Sequence, residues 1–314
     1  MRTILSVAML ALLSCASIVA ISGVQPVVVM YATRNAPTFT MDQVRANIAR
    51  VASMVEASSY GQYRLSPQAF GPYRVPTTTR CSGSVYGPIA ESVAVETGVT
   101  FPTGVSPWVW SDCGHLETTY ISSIPGAKRG VFSDGKMLDY LFGLTIGLGT
   151  AYAEVIPYIG TNPFDPYTPM GYMPKGGYNA RERWAKGWII PSQVRADDTN
   201  NGPSNATQFI ETTEKLGTSQ IKIWRLSNGI EIDVRNFGGG KAAPSLVTLH
   251  RGNLLDLDPF NLCRWYTLTV GQIYTAGDGI GIRTESLAAD GSGATVSAFP
   301  YTGPITARCP VGSK

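Results

Sequence analysis

The sequence QPVVVMYATRNAPTFTMDQVRANIARVASMVEASSYGQYRL, residues 25–65, places a strand, a helix and a second strand in succession. The β-branched run at residues 27–30 predicts a buried strand. Thr40, followed by Gln43 three residues later, predicts a helix N-terminus closed by a capping box. Apolar residues then recur at helical spacing within Met41–Ser58, at Val44, Ile48, Val51, Met54 and Val55. With a second strand at residues 63–65, the segment predicts an α/β beginning.

A second helix and a polar linker complete the first half of the predicted organisation. The helix covers Gly135–Gly147, and its apolar stripe consists of Met137, Leu141, Leu144 and Leu148. The linker is the stretch ADDTNNGPS at residues 196–204, which marks a predicted domain boundary. Before it, residues 25–195 are expected to form an α/β domain with a twisted sheet.

Beyond the linker the pattern changes to short strands. Asn228-Gly229 is a strong hairpin signal between two of them. The predicted strands are Gln220–Leu226, Ile230–Val234, Ser245–His250, Tyr266–Val270, Ile280–Thr284 and Thr295–Phe299. The expected fold class is therefore α+β, with a β-rich, sandwich-like C-terminal domain at residues 204–314.

Composition and the N-terminus predict an exported protein. The 314 residues are only 15% charged, and the net charge of +3 is too small to imply a nucleic-acid-binding surface. Residues 1–22 predict a signal peptide, with Arg2 before an apolar core at residues 4–20. A transmembrane anchor and lipid attachment at Cys15 are the alternatives. We expect a secreted mature chain without a membrane span.

The remaining cysteines favour disulfide bonds in an exported chain. Cys81, Cys113, Cys263 and Cys309 allow three pairings, and no pair is close enough in sequence for a zinc cluster. We favour Cys81–Cys113 and Cys263–Cys309, since each bond then stays within one half of the chain. Asn205 begins an Asn-Ala-Thr glycosylation acceptor, which is usable where the host glycosylates.

Four segments resemble consecutive parts of one protein family. Residues 140–150, YLFGLTIGLGT, follow the rhythm of the zinc-binding helix HExxHxxGxxH, and residues 168–172, TPMGY, are similar to a Met-turn. NARERWAKGW at 179–188 and SYGQYRLSP at 59–67 match segments on either side. In this order and spacing they resemble the gametolysin family, which are metzincin-type zinc metallopeptidases.

The resemblance implies a zinc site whose residues have been replaced. The first histidine, the general base, the second histidine and the third histidine correspond to Tyr140, Leu141, Leu144 and Thr150, and Met170 corresponds to the Met-turn methionine. Leucine can neither ligate zinc nor transfer a proton, and Tyr and Thr are poor ligands beside His, Cys and carboxylates. We therefore expect no catalytic residue, no metal and no cofactor.

Other patterns that resemble functional sites have simpler explanations. The two histidines, His115 and His250, fall in different predicted domains and are expected to make ordinary hydrogen bonds. GGGK at residues 238–241 lacks the spacing of a phosphate loop, and GDGIG at 277–281 is more typical of a turn. The oxygen-bearing side chains of residues 197–201 do not have the spacing of a calcium loop. The aromatic residues could form a sugar-stacking platform, but their scatter favours packing.

The sequence thus predicts a secreted pseudopeptidase that acts as a binding or structural module. Its expected partners are an extracellular protein or a cell-wall glycoprotein, bound through a former substrate cleft or an exposed strand edge, or other copies of the chain. Nucleic acid is not expected. An active metallopeptidase or hydrolase with an unconventional site is one alternative. An unrelated α/β module with a coincidental motif rhythm is the other.

Overall fold

The computed structural model describes most of the regular structure on either side of the predicted linker. The described residues are 22–33, 36–74, 108–111, 131–132, 138–148, 152–153, 168–170, 176–197, 205–216, 218–236, 245–251, 254–255, 268–275 and 279–303. Among these residues strands are more abundant than helices, and both are present, which is compatible with the predicted α+β class.

The helices and strands are numbered in chain order. The helices are α1 at Met41–Ser58, α2 at Leu138–Thr145 and α3 at Ala180–Ala185, with one 3₁₀ turn at Pro191–Gln193. The first strands are β1 at Gly23–Thr33, β2 at Tyr63–Arg74, β3 at Trp108–Ser111, β4 at Val131–Phe132, β5 at Tyr152–Ala153 and β6 at Val194–Ala196. The later strands are β7 at Ala206–Glu211, β8 at Ile223–Arg225, β9 at Ile230–Arg235, β10 at Leu246–Arg251, β11 at Leu254–Leu255, β12 at Ile273–Thr275, β13 at Ile280–Leu287 and β14 at Gly293–Pro300.

The first sheet is parallel and has the order β2-β1-β3-β4. Helix α1 connects its first two strands, and the predicted capping box is confirmed. The Thr40 side chain accepts a hydrogen bond from the Gln43 backbone, and the Gln43 side chain accepts one from the Thr40 backbone. The predicted bounds of this helix, Met41–Ser58, are also confirmed, because the cap and the apolar spacing specify the same start.

One hydrophobic cluster lies between the first sheet and helices α1 and α2. From the sheet it contains alternate residues of β1 and the first residue of β2, and from α1 it contains four residues at helical spacing. Its other members come from α2 and the segments after it. The cluster consists of Val27, Val29, Tyr31, Val44, Ile48, Val51, Val55, Tyr63, Tyr140, Phe142, Leu148, Met170, Tyr178 and Trp188.

Two further sheets share a second hydrophobic cluster. One has the order β5-β11-β10-β9-β8-β6 and the other, fully antiparallel, has the order β12-β13-β14-β7. The predicted hairpin at Asn228-Gly229 is confirmed, since it joins β8 to β9 with Gly229 at a φ of +83°. Apolar residues from both sheets, including Trp224, Ile232 and Val296, are buried together.

The six-stranded sheet draws strands from both sides of the predicted linker. Strand β5 pairs in parallel with β11, and β6 pairs in parallel with β8. Neither β5 nor β6 was predicted, because strands of two or three residues carry too little periodicity to be recognised. Strand β7, which starts directly after the linker, was also missed. The boundary at residues 196–204 stays a prediction, since residues 198–204 lie outside the described ranges.

The central strand β9 is buried on both faces. Ile230, Ile232 and Val234 enter the second cluster, whereas Glu231, Asp233 and Arg235 face residues from the first half of the chain. Arg181 of α3 forms an ion pair with Glu231 at 2.7 Å, and the Ala180 backbone donates to Asp233 at 3.1 Å. The Arg235 guanidinium donates to the Gly177 carbonyl at 2.6 Å. We call these three side chains of β9 the charged layer.

Candidate functional site

Helix α2 carries Tyr140, the residue that the sequence resemblance aligns with the first zinc ligand. Tyr140 is 7% exposed and belongs to the first hydrophobic cluster, beside Phe142 and Leu148. A short apolar helix of this kind is held by burial more than by its own propensity. The side chains of Leu141 and Leu144, and all of Thr150, lie outside the described part of the chain.

Met170 lies directly against helix α2. Its side chain is fully buried in a turn at residues 168–170. A Cβ atom at Gly143 would overlap the Sδ atom of Met170 and would lie 3.3 Å from the Tyr178 ring. Glycine at position 143 therefore permits the close approach of the helix to the methionine turn.

Hydrogen bonds connect the turn at residues 168–170, here called the methionine turn, to helix α3. The Thr168 hydroxyl donates to the Glu182 carboxylate and accepts from the Met170 backbone at 3.2 Å. Glu182 also accepts from the Asn179 backbone at 2.8 Å, completing a capping box at the start of α3. Because Thr168, Asn179 and Glu182 are all buried, this arrangement fixes the turn relative to the helix.

An ion pair connects α2 to α1 at the edge of the same cluster. Asp139 Oδ2 accepts from Arg50 at 2.7 Å, and the Asp139 side chain is 6% exposed. The Tyr178 hydroxyl donates to the backbone carbonyl of Asp139 at 2.9 Å. The buried Oδ1 atom of Asp139 has no hydrogen-bond partner among the residues that the structure describes.

Burial affects the titration of two tyrosines near helix α2, Tyr178 and Tyr63. Burial raises the pKa of Tyr178 well above its usual range, and the nearby carboxylates of Asp139 and Glu182 raise it further. Burial likewise raises the pKa of Tyr63 to about 12. Near neutral pH both phenols therefore keep their protons and do not offer anionic oxygens to a metal.

The residues that the resemblance aligns with zinc ligands do not fit zinc. The set Tyr140, Leu141, Leu144 and Thr150 contains two hydrocarbon side chains and no His, Cys or carboxylate. Within the described ranges, no three His, Cys, Asp or Glu side chains come close enough together to hold a metal ion. Tyr140 and Met170 are buried among apolar neighbours.

Of the two histidines considered in the sequence analysis, His250 lies within the described residues. It is 3% exposed, and its Nε2 lies 3.2 Å from Asp233 Oδ1 in the charged layer. Thr248 donates to the same carboxylate oxygen. The sequence could not show this group, because Asp233 and His250 are separated in the chain and meet only through the pairing of β9 with β10.

The other predicted site residues have mixed outcomes. His115 and the cysteines Cys81, Cys113, Cys263 and Cys309 lie outside the described residues, so the disulfide pairing stays a prediction. Residues 238–241 and 277–278 lie outside them as well. Asn205 is exposed immediately before β7, as a glycosylation acceptor requires. The Asp197 carboxylate accepts a hydrogen bond from the Trp224 indole at 3.0 Å. It also forms an ion pair with Arg195, whose Nε atom lies 3.4 Å from Asp197 Oδ1.

No protein-family model matches the chain, and no curated protein matches it significantly. Among the residues described, no helix has both the length and the apolar character required to cross a membrane.

Proposed function

We propose that the chain is a secreted, gametolysin-like pseudopeptidase that acts outside the cell as a binding or structural module. The observation that carries this proposal is the contact between Gly143 of α2 and the buried Met170. In the family that the sequence resembles, a methionine turn underlies the metal site. Here a methionine at the corresponding position lies against the corresponding helix, while the ligand residues are absent from the sequence.

The residue types argue that the chemistry is lost while the scaffold is kept. A catalytic zinc needs three protein ligands and a position open to water. Tyr140 at the first ligand position is buried among apolar side chains, and leucines occupy the positions of the base and the second ligand. Burying a large apolar side chain stabilises a fold by about 1.5–3 kcal/mol, so the helix can be held without a metal.

The proposed architecture has a metzincin-like domain followed by a β-sandwich-like domain. The parallel sheet with α1 and α2 on it supports the first, and the apolar cluster shared by two sheets supports the second. For the partner we propose an extracellular protein or a cell-wall glycoprotein, or other copies of the chain. Strand β2 stands at the edge of the first sheet, where an extended peptide could add a strand.

Metal content and chelator response test the proposal. We expect the purified, folded protein to contain no stoichiometric zinc by elemental analysis. We also expect EDTA and the zinc-selective chelator 1,10-phenanthroline to leave the melting temperature unchanged, because no stability is linked to a bound metal. An effect of EDTA that phenanthroline does not reproduce would indicate bound calcium, whereas an effect of both chelators would indicate zinc. Stoichiometric zinc, a lower melting temperature with phenanthroline, or peptide cleavage abolished by it would refute the proposal and support an unconventional metallopeptidase.

A further inference from the structure

The antiparallel sheet β12-β13-β14-β7 carries a cleft on its outer face. This cleft is separate from the candidate site around Tyr140 and Met170. Three strands place side chains there in two adjacent rows. Arg283, Ser297 and Thr207 form one row across β13, β14 and β7, and Gly281 and Phe299 belong to the next. The cleft has a volume of about 620 Å³ and is lined by Asn205, Thr207, Arg283, Glu285, Ser297 and Phe299.

The charges in this cleft balance each other. The Arg283 guanidinium donates twice to Glu285 Oε1, at 2.9 and 2.8 Å, and both side chains remain partly exposed, at 41% and 29%. Hydrogen bonds from Arg283 and then from Ser297 hold the pKa of Glu285 below its usual range, so the carboxylate is ionised. Because Arg283 and Glu285 neutralise each other, this ion pair offers no unpaired charge to an anionic or a cationic ligand.

An aromatic ring and several neutral polar groups complete the lining. The Arg283 guanidinium stands 5.6 Å from the centroid of the Phe299 ring, and Tyr301 meets that ring edge-on at 6.2 Å. Gly281 leaves room for the ring, because a Cβ atom there would lie 2.8 Å from it. The hydroxyls of Thr207 and Ser297 are 2.7 Å apart, and the Asn205 amide is exposed at the margin.

We infer that this cleft binds a neutral saccharide. A pyranose ring has an apolar C–H face, which packs on an aromatic ring, and hydroxyls that both donate and accept hydrogen bonds. The planar groups of Arg283, Glu285 and Asn205 can exchange hydrogen bonds with neighbouring sugar hydroxyls, and the half-buried Phe299 ring beside Arg283 lines the cleft as the apolar surface on which a sugar ring would pack. An extended peptide would instead add to a strand edge, and a polyanion would need free basic charge. The inference does not depend on the proposed loss of zinc chemistry.

Titration with a defined panel of oligosaccharides tests the inference. The full chain is produced without a glycan at Asn205 and titrated with chitotriose, cellotriose, mannotriose, galactotriose and the acidic trigalacturonate. Calorimetry gives the affinity, and saturation-transfer NMR reports which C–H protons contact the protein. We expect at least one neutral trisaccharide to bind and to receive saturation on one face of a sugar ring.

Matched variants locate the binding. We expect Phe299→Ala to weaken binding at least about tenfold and Phe299→Tyr to retain it, because tyrosine keeps the stacking ring. Arg283→Ala is the second variant, in case Phe299→Ala does not fold. The control is Arg45→Ala, since Arg45 is also exposed in an ion pair but lines a different cleft, between α1 and β2. The inference is wrong if no neutral saccharide binds, if trigalacturonate alone binds, or if folded Phe299→Ala and Arg283→Ala variants bind normally.

Discussion

At the scale of single residues, Gly143 is the position where helix α2 comes closest to the methionine turn. Alanine in place of a helical glycine usually stabilises a helix by about 1 kcal/mol. Here the added methyl group would overlap Met170, and overpacking of this kind costs about 1–3 kcal/mol. We therefore expect Gly143→Ala to lower the free energy of unfolding by about 1 kcal/mol, measured by denaturant titration.

A double mutant isolates the contact between these two residues. In a Met170→Ala background the overlapping sulfur is gone, so Gly143→Ala should become neutral or stabilising through helix propensity. If Gly143→Ala changes the free energy of unfolding equally in both backgrounds, helix α2 does not pack against Met170 at this position.

Asp233 links stability to pH through its buried position beside His250. Burial alone would raise the pKa of Asp233, but the charge and hydrogen bond of His250, the charge of Arg235 and a hydrogen bond from Thr248 lower it to about 2. An unfolded aspartate titrates near ~3.9. Its stabilising contribution is therefore complete above pH ~4 and is lost as the pH falls toward ~2, the folded pKa.

We expect Asp233→Asn to lower the free energy of unfolding by about 2 kcal/mol at neutral pH, because a depression of nearly two pKa units corresponds to that energy. The decline in stability between pH ~4 and ~2 should become shallower. Urea titrations across this range measure both effects. Asp42→Asn is the control at an exposed site, with an expected change within about 0.5 kcal/mol. An unchanged acid dependence in Asp233→Asn would contradict the assignment.

At the scale of secondary-structure elements, two capping boxes of the same design sit in different surroundings. Thr40 caps α1 at the exposed end of the helix, whereas Asn179 caps α3 and is 3% exposed. We expect Thr40→Ala to cost about 1 kcal/mol and Asn179→Ala about 2 kcal/mol, because the second leaves a buried backbone N–H of Glu182 without its acceptor. Thermal and denaturant unfolding give both values. Equal costs would show that burial adds nothing at the α3 cap.

The elements that could be predicted from the sequence are those specified by local signals. Helix α1 has its cap, its spacing and its length within one segment, and Asn228-Gly229 defines its hairpin through backbone conformation. Strands β5 and β6 have no such signal, since each is short and pairs with a strand from the other side of the linker. Their existence depends on the tertiary fold, which periodicity does not record.

The same limit applies to the sites. The resemblance assigns Tyr140, Leu141, Leu144 and Thr150 to zinc-ligand and base positions from their order in the chain alone, and that assignment stays a prediction. The sugar-stacking platform was set aside because the aromatic residues are scattered in sequence. Phe299 and Arg283 become neighbours only through the antiparallel register of β13 and β14.

At the scale of the whole molecule, buried polar contacts join the two halves of the chain. Arg183 is 2% exposed and donates to the carbonyls of Tyr178 at 2.6 Å and Thr213 at 2.9 Å. The Tyr60 hydroxyl also donates to Thr213 O, at 2.9 Å. The Thr213 carbonyl would be costly to bury without these donors from the first half, so residues before and after the linker depend on each other for stability.

We therefore expect one cooperative unfolding transition for the whole molecule, with calorimetric and van't Hoff enthalpies that agree. Arg183→Met should lower the free energy of unfolding by about 3 kcal/mol and should shift the entire transition, since it removes the donor to the buried Tyr178 carbonyl and one of the two donors to the Thr213 carbonyl. The exposed Arg45→Met should change stability by less than about 1 kcal/mol. Two separable transitions, with only the earlier one sensitive to Arg183→Met, would show that the halves fold independently.

The pairing of β5 with β11 also has a consequence for the time course of folding. A ribosome releases residues 152–153 long before residues 254–255, so the edge strand of the six-stranded sheet has no partner while the intervening chain is made. Loop closure over such separations is slow compared with local hairpin formation. Strands β5 and β6 therefore remain without their partner strands, and Arg183 without its acceptor at Thr213, until the second half of the chain is available.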